Sequence, residues 1–88
     1  MEKITEVVEI GNPHGLHVRP ASIFVQIASK YDSSVQLEKD GEAVDGKSII
    51  AILSLGVNRG AKVNLMVDGV DAVEAFEELK NFLVKGND

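Results

Sequence analysis

His17, Arg19 and Pro20 stand in the run Gly15-Leu16-His17-Val18-Arg19-Pro20-Ala21, where a strand-forming segment gives way to a helical one. Pro20 is tolerated only in a first helical turn, where its missing N–H is not needed, so it fixes the helix start within a residue or two of His17. Histidine is an unusual occupant of that place. N-caps are normally Ser, Thr, Asp or Asn, whose short side chains accept hydrogen bonds from free backbone N–H groups. Departures from a local rule of this kind are often functional. The chemistry they suggest is nucleophilic, because a neutral imidazole offers a lone pair near neutral pH. First-turn N–H groups and the positive end of the helix dipole attract a phosphoryl group or another anion. Arg19 can add a permanent guanidinium charge with fork geometry. The segment therefore reads as a phosphohistidine site, against the alternative of a surface turn with an incidental histidine.

Positioning such a site takes elements on both sides of it. Residues Lys3 to Ile10 carry Ile4, Val7, Val8 and Ile10 in an imperfect alternation and predict a strand, ended by Gly11, Asn12, Pro13 and Gly15. From Val18 to Lys30, Ala21, Phe24, Val25 and Ala28 recur at helical spacing on one apolar face. Val35 and Leu37 alternate with Gln36 and Glu38, and the turn Lys39-Asp40-Gly41 predicts a hairpin back to a short strand around Ala43 and Val44.

A short helix follows Gly46-Lys47-Ser48 and closes at Gly56. Its residues Ile49, Ile50, Ile52, Leu53 and Leu55 leave almost no polar face, so some of them must be exposed. Lys62 to Val67 predicts another strand. The last helix starts near Asp71, with Asp71 and Glu74 spaced as N-cap and N3 and with Ala72, Ala75, Phe76, Leu79 and Leu83 inward. Lys80 and Lys85 near its end suit the dipole. The order β-α-β-β-α-β-α predicts an α+β layer, with helices covering one face of a mostly antiparallel sheet.

Composition narrows the function classes. The 88 residues suit a single domain, 1–88, and the absence of cysteine excludes disulfides and thiolate metal sites. Net charge is −5 with only two arginines, Arg19 and Arg59, so no basic stripe is available to neutralise a nucleic-acid backbone. The N-terminal residues Met1 to Glu6 lack the apolar core of a signal peptide, and no apolar stretch could span or insert into a membrane. A cytoplasmic location is expected.

Three blocks resemble one known family. They are Gly15-Leu16-His17-Val18-Arg19-Pro20-Ala21-Ser22, then Ala28-Ser29-Lys30-Tyr31-Asp32, then Lys47-Ser48-Ile49-Ile50 with Ser54-Leu55-Gly56. Together with length and element order they are similar to the HPr-like phosphocarrier proteins of the phosphoenolpyruvate-dependent sugar phosphotransferase system. The resemblance implies an open-faced sandwich, a four-stranded antiparallel sheet with three helices on one face. It implies a carrier rather than an enzyme proper, without a cofactor. His17 would accept a phosphoryl group on Nδ1 from Enzyme I and pass it to sugar-specific Enzyme II components, including the IIA proteins. The backbone N–H groups of Val18 and Arg19 would hold the phosphoryl oxygens.

By the same resemblance, Ser48 matches a serine that a dedicated kinase phosphorylates in some members, with a phosphorylase and a catabolite-control transcription factor as further partners. The plain alternative for Ser48 is an N-cap. Ile49, Ile50 and Leu53 match the apolar patch that Enzyme I and other partners cover, and a monomer is implied. This chain departs from the family pattern at Val18, where alanine is common, and at His14, where a small hydroxyl or acidic residue is common. His14 reads as a solvated loop residue; with His17 it forms a His-x-x-His pair that lacks the further ligands of a zinc site. Three rival functions remain: a nitrogen-branch carrier, a purely regulatory paralogue without the active histidine, and a small acylphosphatase-like hydrolase that would use an arginine-bearing phosphate loop.

Overall fold

The computed structural model describes residues 2–85. Elements follow in the order β1 (Glu2–Glu9), α1 (Val18–Ser29), β2 (Ser34–Lys39), β3 (Glu42–Asp45), α2 (Ile49–Ser54), β4 (Lys62–Gly69) and α3 (Ala72–Lys85). The strands form one sheet in the order β1-β4-β2-β3, with every neighbouring pair antiparallel. This is the expected α+β arrangement of four strands and three helices. Among the described residues no helix is long and apolar enough to cross a membrane.

Alternation along β4 sets the core. Val63, Leu65 and Val67 are buried against the helices, and Val35 and Leu37 of β2 stand beside Val67 and Leu65. Phe24 and Ala28 of α1, Ile52 of α2, and Phe76, Leu79 and Leu83 of α3 complete the apolar layer. Phe82 is buried as well, although the helical pattern did not place it on the inner face. The hairpin between β2 and β3 turns on two residues, since Lys39 pairs with Glu42. Asp40 (φ 53°) and Gly41 (φ 83°) both take positive φ there, the conformation that a two-residue type I′ turn demands.

The imperfect alternation of the first strand has a physical explanation. Val8 is buried beside Val63, while Val7 is 59% exposed and points to the open face of the sheet. Glu6 shares the helix-facing side with Ile4 and Val8, and its carboxylate forms an ion pair with Lys80 of α3. Lys80 therefore serves the strand rather than the helix end, where Lys85 is the basic residue of the last turn. The strand stops at Glu9, one residue before its expected end. Ile10 is still buried, with its N–H donating to the Ala61 carbonyl at 2.9 Å.

Asp71 also departs from its expected role. Its carbonyl accepts the Ala75 N–H at 3.1 Å, as an N-cap backbone should. Its carboxylate reaches across to the α1–β2 turn, accepting from the Asp32 N–H (2.9 Å), the Ser33 N–H (2.9 Å) and the Ser33 hydroxyl (2.5 Å). The Ser33 hydroxyl and those backbone donors hold the Asp71 carboxyl below the usual carboxylate range. Alongside, Tyr31 donates to Glu78 at 2.6 Å, and Lys30 pairs with the same carboxylate at 2.8 Å. The Glu78 hydrogen bond pushes the Tyr31 phenol up to about 12. Both contacts tie the C-terminal end of α1 to α3.

Because the Asp71 carboxyl holds its proton less tightly in the folded chain than in the unfolded one, its contribution to stability is present above about pH 4 and is lost as pH falls through the lowered folded value. Asp71→Asn should lower the urea midpoint at pH 7, and the gap from the wild type should narrow on acidification to pH 3. A gap of constant size across that range would show that the carboxylate charge is not what holds the turn.

Candidate functional site

His17 is the N-cap of α1, with extended backbone angles (φ −86°, ψ −166°) and a carbonyl that accepts the Ala21 N–H at 2.9 Å. Its side chain makes no capping bond and lies exposed. A capping side chain normally serves the N–H of the second or third helical residue. The third is Pro20, which has none. The first-turn donors that remain are the N–H groups of Val18 and Arg19, and among the described residues neither has a hydrogen-bond partner. Arg19 is exposed and forms no salt bridge among the described residues. The expected group of nucleophile, amides and guanidinium therefore falls on three consecutive residues.

The loop ahead of His17 is pinned from two sides. Asn12 is only 1% exposed; its Oδ1 accepts the His14 N–H at 3.1 Å and its carbonyl accepts the Gly15 N–H at 3.0 Å. Gly15 has φ 69°, and a Cβ there would overlap the Val57 carbonyl oxygen and lie 2.8 Å from Asn58 Cα. Leu16 is buried and donates its N–H to the Val57 carbonyl at 2.9 Å. That geometry delivers His17 to the surface at the first residue after an anchored apolar side chain.

Two features here lie outside what the sequence reading assigned. Asn12 is a buried polar residue whose Nδ2 has no partner, and sequence inspection marked it only as a strand terminator. His14 is exposed as expected, but its ring stands edge-on to that of His17, with centroids 5.4 Å apart and planes at 75°. Their spacing by three residues across a glycine was the available signal. Among the described residues no cluster of three potential metal ligands occurs.

The second segment lies at α2. Ser48 is its N-cap, with Oγ accepting the Ala51 N–H at 3.3 Å and its own N–H donating to the Asp45 carbonyl at 3.2 Å. Of the three apolar residues singled out there, Ile50 is 76% exposed, whereas Ile49 and Leu53 are half-buried and pack partly on the core. Val18, beside His17, is 63% exposed and adds apolar surface that the sequence reading treated only as backbone. The helices α1 and α2 that carry these side chains pack on each other. Two surface grooves, one lined by Ser34, Gln36, Asp45 and Lys47 and one by Ile27, Asn81 and Phe82, both leave His17 outside. The candidate nucleophile thus stands on open surface, where a second macromolecule can reach it but a small substrate would find no enclosure.

Comparison with known proteins agrees with this geometry. Residues 4–85 match the family described as "PTS HPr component phosphorylation site". The HPr-like protein Crh of Bacillus subtilis is 42% identical over 80 residues, covering 91% of this chain and 94% of its own. The crystal structure of the phosphocarrier protein HPr from Bacillus anthracis superposes with a TM-score of 0.90 at 35% identity, covering 94% of this chain and 99% of that one. An HPr dimer from Thermoanaerobacter tengcongensis gives a TM-score of 0.76 at 44% identity over the whole of both chains.

Replacing Gly15 by Ala should lower stability by about 2–3 kcal/mol, from the positive φ together with the overlap at the Val57 carbonyl. Denaturant unfolding would measure it. A loss below about 0.5 kcal/mol would mean that the loop adapts and does not depend on that close approach.

Proposed function

This chain belongs to the HPr family of phosphotransferase-system phosphocarriers, and we propose that His17 accepts a phosphoryl group from phospho-Enzyme I and hands it to the IIA components of sugar-specific Enzymes II. One observation carries the reading: His17 is an exposed, uncapped imidazole next to two unpaired amides at the start of a twelve-residue helix. In the transfer, the Nδ1 lone pair attacks phosphorus as the donor's N–P bond breaks. The Val18 and Arg19 N–H groups, with the Arg19 guanidinium, would receive charge on the phosphoryl oxygens. An open site suits a carrier, because each 1.4 kcal/mol of extra stabilisation of the loaded form costs about tenfold in onward transfer.

Ser48 supports a regulatory layer. A phosphate on its Oγ would replace a capping acceptor at the start of α2 and place a dianion one residue from Ile49 and two from the exposed Ile50. It would burden any partner that has to desolvate that surface, whereas a regulator such as a catabolite-control transcription factor could read the new charge. The similarity to Crh favours this second role, and His17 favours the carrier role; one surface can serve both. Ile49, Ile50 and Leu53, with Val18 beside the nucleophile, form the docking surface in this reading. The protein acts in the cytoplasm as a monomer, although an HPr relative has been crystallised as a dimer.

Incubation with Enzyme I, phosphoenolpyruvate and Mg²⁺, followed by intact-mass analysis, tests the assignment. An acid-labile phosphoryl adduct should form, persist in Ser48→Ala and disappear in His17→Ala; the same adduct in His17→Ala would assign the acceptor elsewhere. Arg19→Ala should slow loading about tenfold or more with the fold intact, the scale of a lost charge-assisted hydrogen bond, and unchanged transfer would remove Arg19 from the mechanism. Leu53→Glu should weaken Enzyme I binding, with unaltered affinity placing the docking surface elsewhere.

A further inference from the structure

We propose that His14 is a second working imidazole of the site, one that binds a proton as His17 takes up a phosphoryl group and then holds that proton against the phosphoryl oxygens. The inference rests on the carrier reading of His17. It starts from the two rings, 5.4 Å apart between centroids and edge to face, both exposed and both on one short loop.

That loop is built to keep them together. Buried Asn12 holds the His14 N–H at 3.1 Å, and the left-handed Gly15 is pressed to the Val57 carbonyl, so the step from His14 to His17 is fixed at both ends. Asn12 holds the backbone of residue 14, so the loop fixes the point from which the imidazole projects.

The electrostatics then have a definite sign. The charged or titratable groups on the segments around His14 are His17 on its own loop, Glu9 at the end of β1, Arg19 in the first turn of α1, Arg59 on the turn next to Asn58, which itself lies against Gly15, and Lys85 in the last turn of α3, whose Leu83 and Val84 lie against Gly11. All but Glu9 are cationic when charged. Neither imidazole pairs with a carboxylate among the described residues. A phosphoryl dianion on the neighbouring ring would give a proton on His14 an opposite charge to face. Coupling between two binding events is reciprocal, so a protonated His14 makes His17 hold its phosphoryl group more firmly.

The step balances simply. The His17 Nδ1 lone pair forms the new N–P bond while the donor's N–P bond breaks, its electron pair staying on the donor nitrogen. His17 Nε2 keeps its proton, and His14 takes one from solvent. Loading of this chain is thereby favoured by mild acidity and unloading by mild alkalinity.

The test loads wild type, His14→Gln and His14→Ala with Enzyme I, phosphoenolpyruvate and Mg²⁺, and follows the ³¹P resonance and lifetime of the adduct from pH 5.5 to 9. Glutamine keeps a hydrogen-bond donor but cannot take up a proton, and His14 is exposed, so both variants should fold. In the wild type the phosphoryl resonance should show an inflection beyond that of the phosphoimidazole itself, and at pH 6 the adduct should outlive that of either variant by about threefold, the scale of a solvent-screened ion pair. Both differences should vanish at pH 9. Superimposable profiles for wild type and His14→Gln would overturn the role of His14 while leaving the carrier reading intact. Failure to form any adduct on His17 would overturn both.

Discussion

Two backbone N–H groups without partners, at Val18 and Arg19, are the constraint from which the rest of the site follows. Every α-helix leaves donors of this kind at its start, and most chains satisfy them with a short polar cap. Here Pro20 removes one donor outright and His17 supplies an N-cap that bonds to none of the others. What remains is a compact electropositive notch with an imidazole at its edge. A side chain that satisfied those amides would occupy the place that the carrier reading gives to the phosphoryl group.

Holding that notch open requires rigidity behind it, and the fold provides it through non-local contacts. Leu16 and Gly15 lock onto the Val57 carbonyl, Asn12 closes the loop, and Ile10 is laced to Ala61 and Gly60. At the far end of α1, Asp71 and Glu78 fasten the helix exit to α3. The helix that presents His17 is thus fixed at its start, along its buried face and at its exit, so the amides are ordered before any partner arrives. Preorganised donors of this kind avoid an ordering cost at the moment of transfer.

Much of this was legible in the sequence wherever a residue type carries a local constraint. Pro20 fixed a helix start, Asp40-Gly41 fixed a hairpin, and the alternation of β4 fixed the buried side of the sheet. Long-range uses of side chains were not legible. Asp71 has the spacing of a capping residue, yet its carboxylate is drawn to Ser33, 38 positions away, because the turn there has donors that nothing nearer can satisfy. Glu6 broke the alternation of β1 because the charge that accommodates it, on Lys80, lies in another element. The approach of His14 to His17 depended on the left-handed turn at Gly15, a conformation that glycine permits but does not announce.

Glu6 has a consequence for the life of the chain before and between encounters. β1 is an outer strand, hydrogen-bonded only to β4, so its far side offers a template on which an identical strand could grow into a fibre. A carboxylate on the side that faces the helices, matched only by the lysine of its own α3, makes a stranger's strand a poor replacement for this one. A second copy of β1 laid along that edge would bring its own Glu6 with no lysine opposite, a charge that weighs against self-templated growth along the sheet.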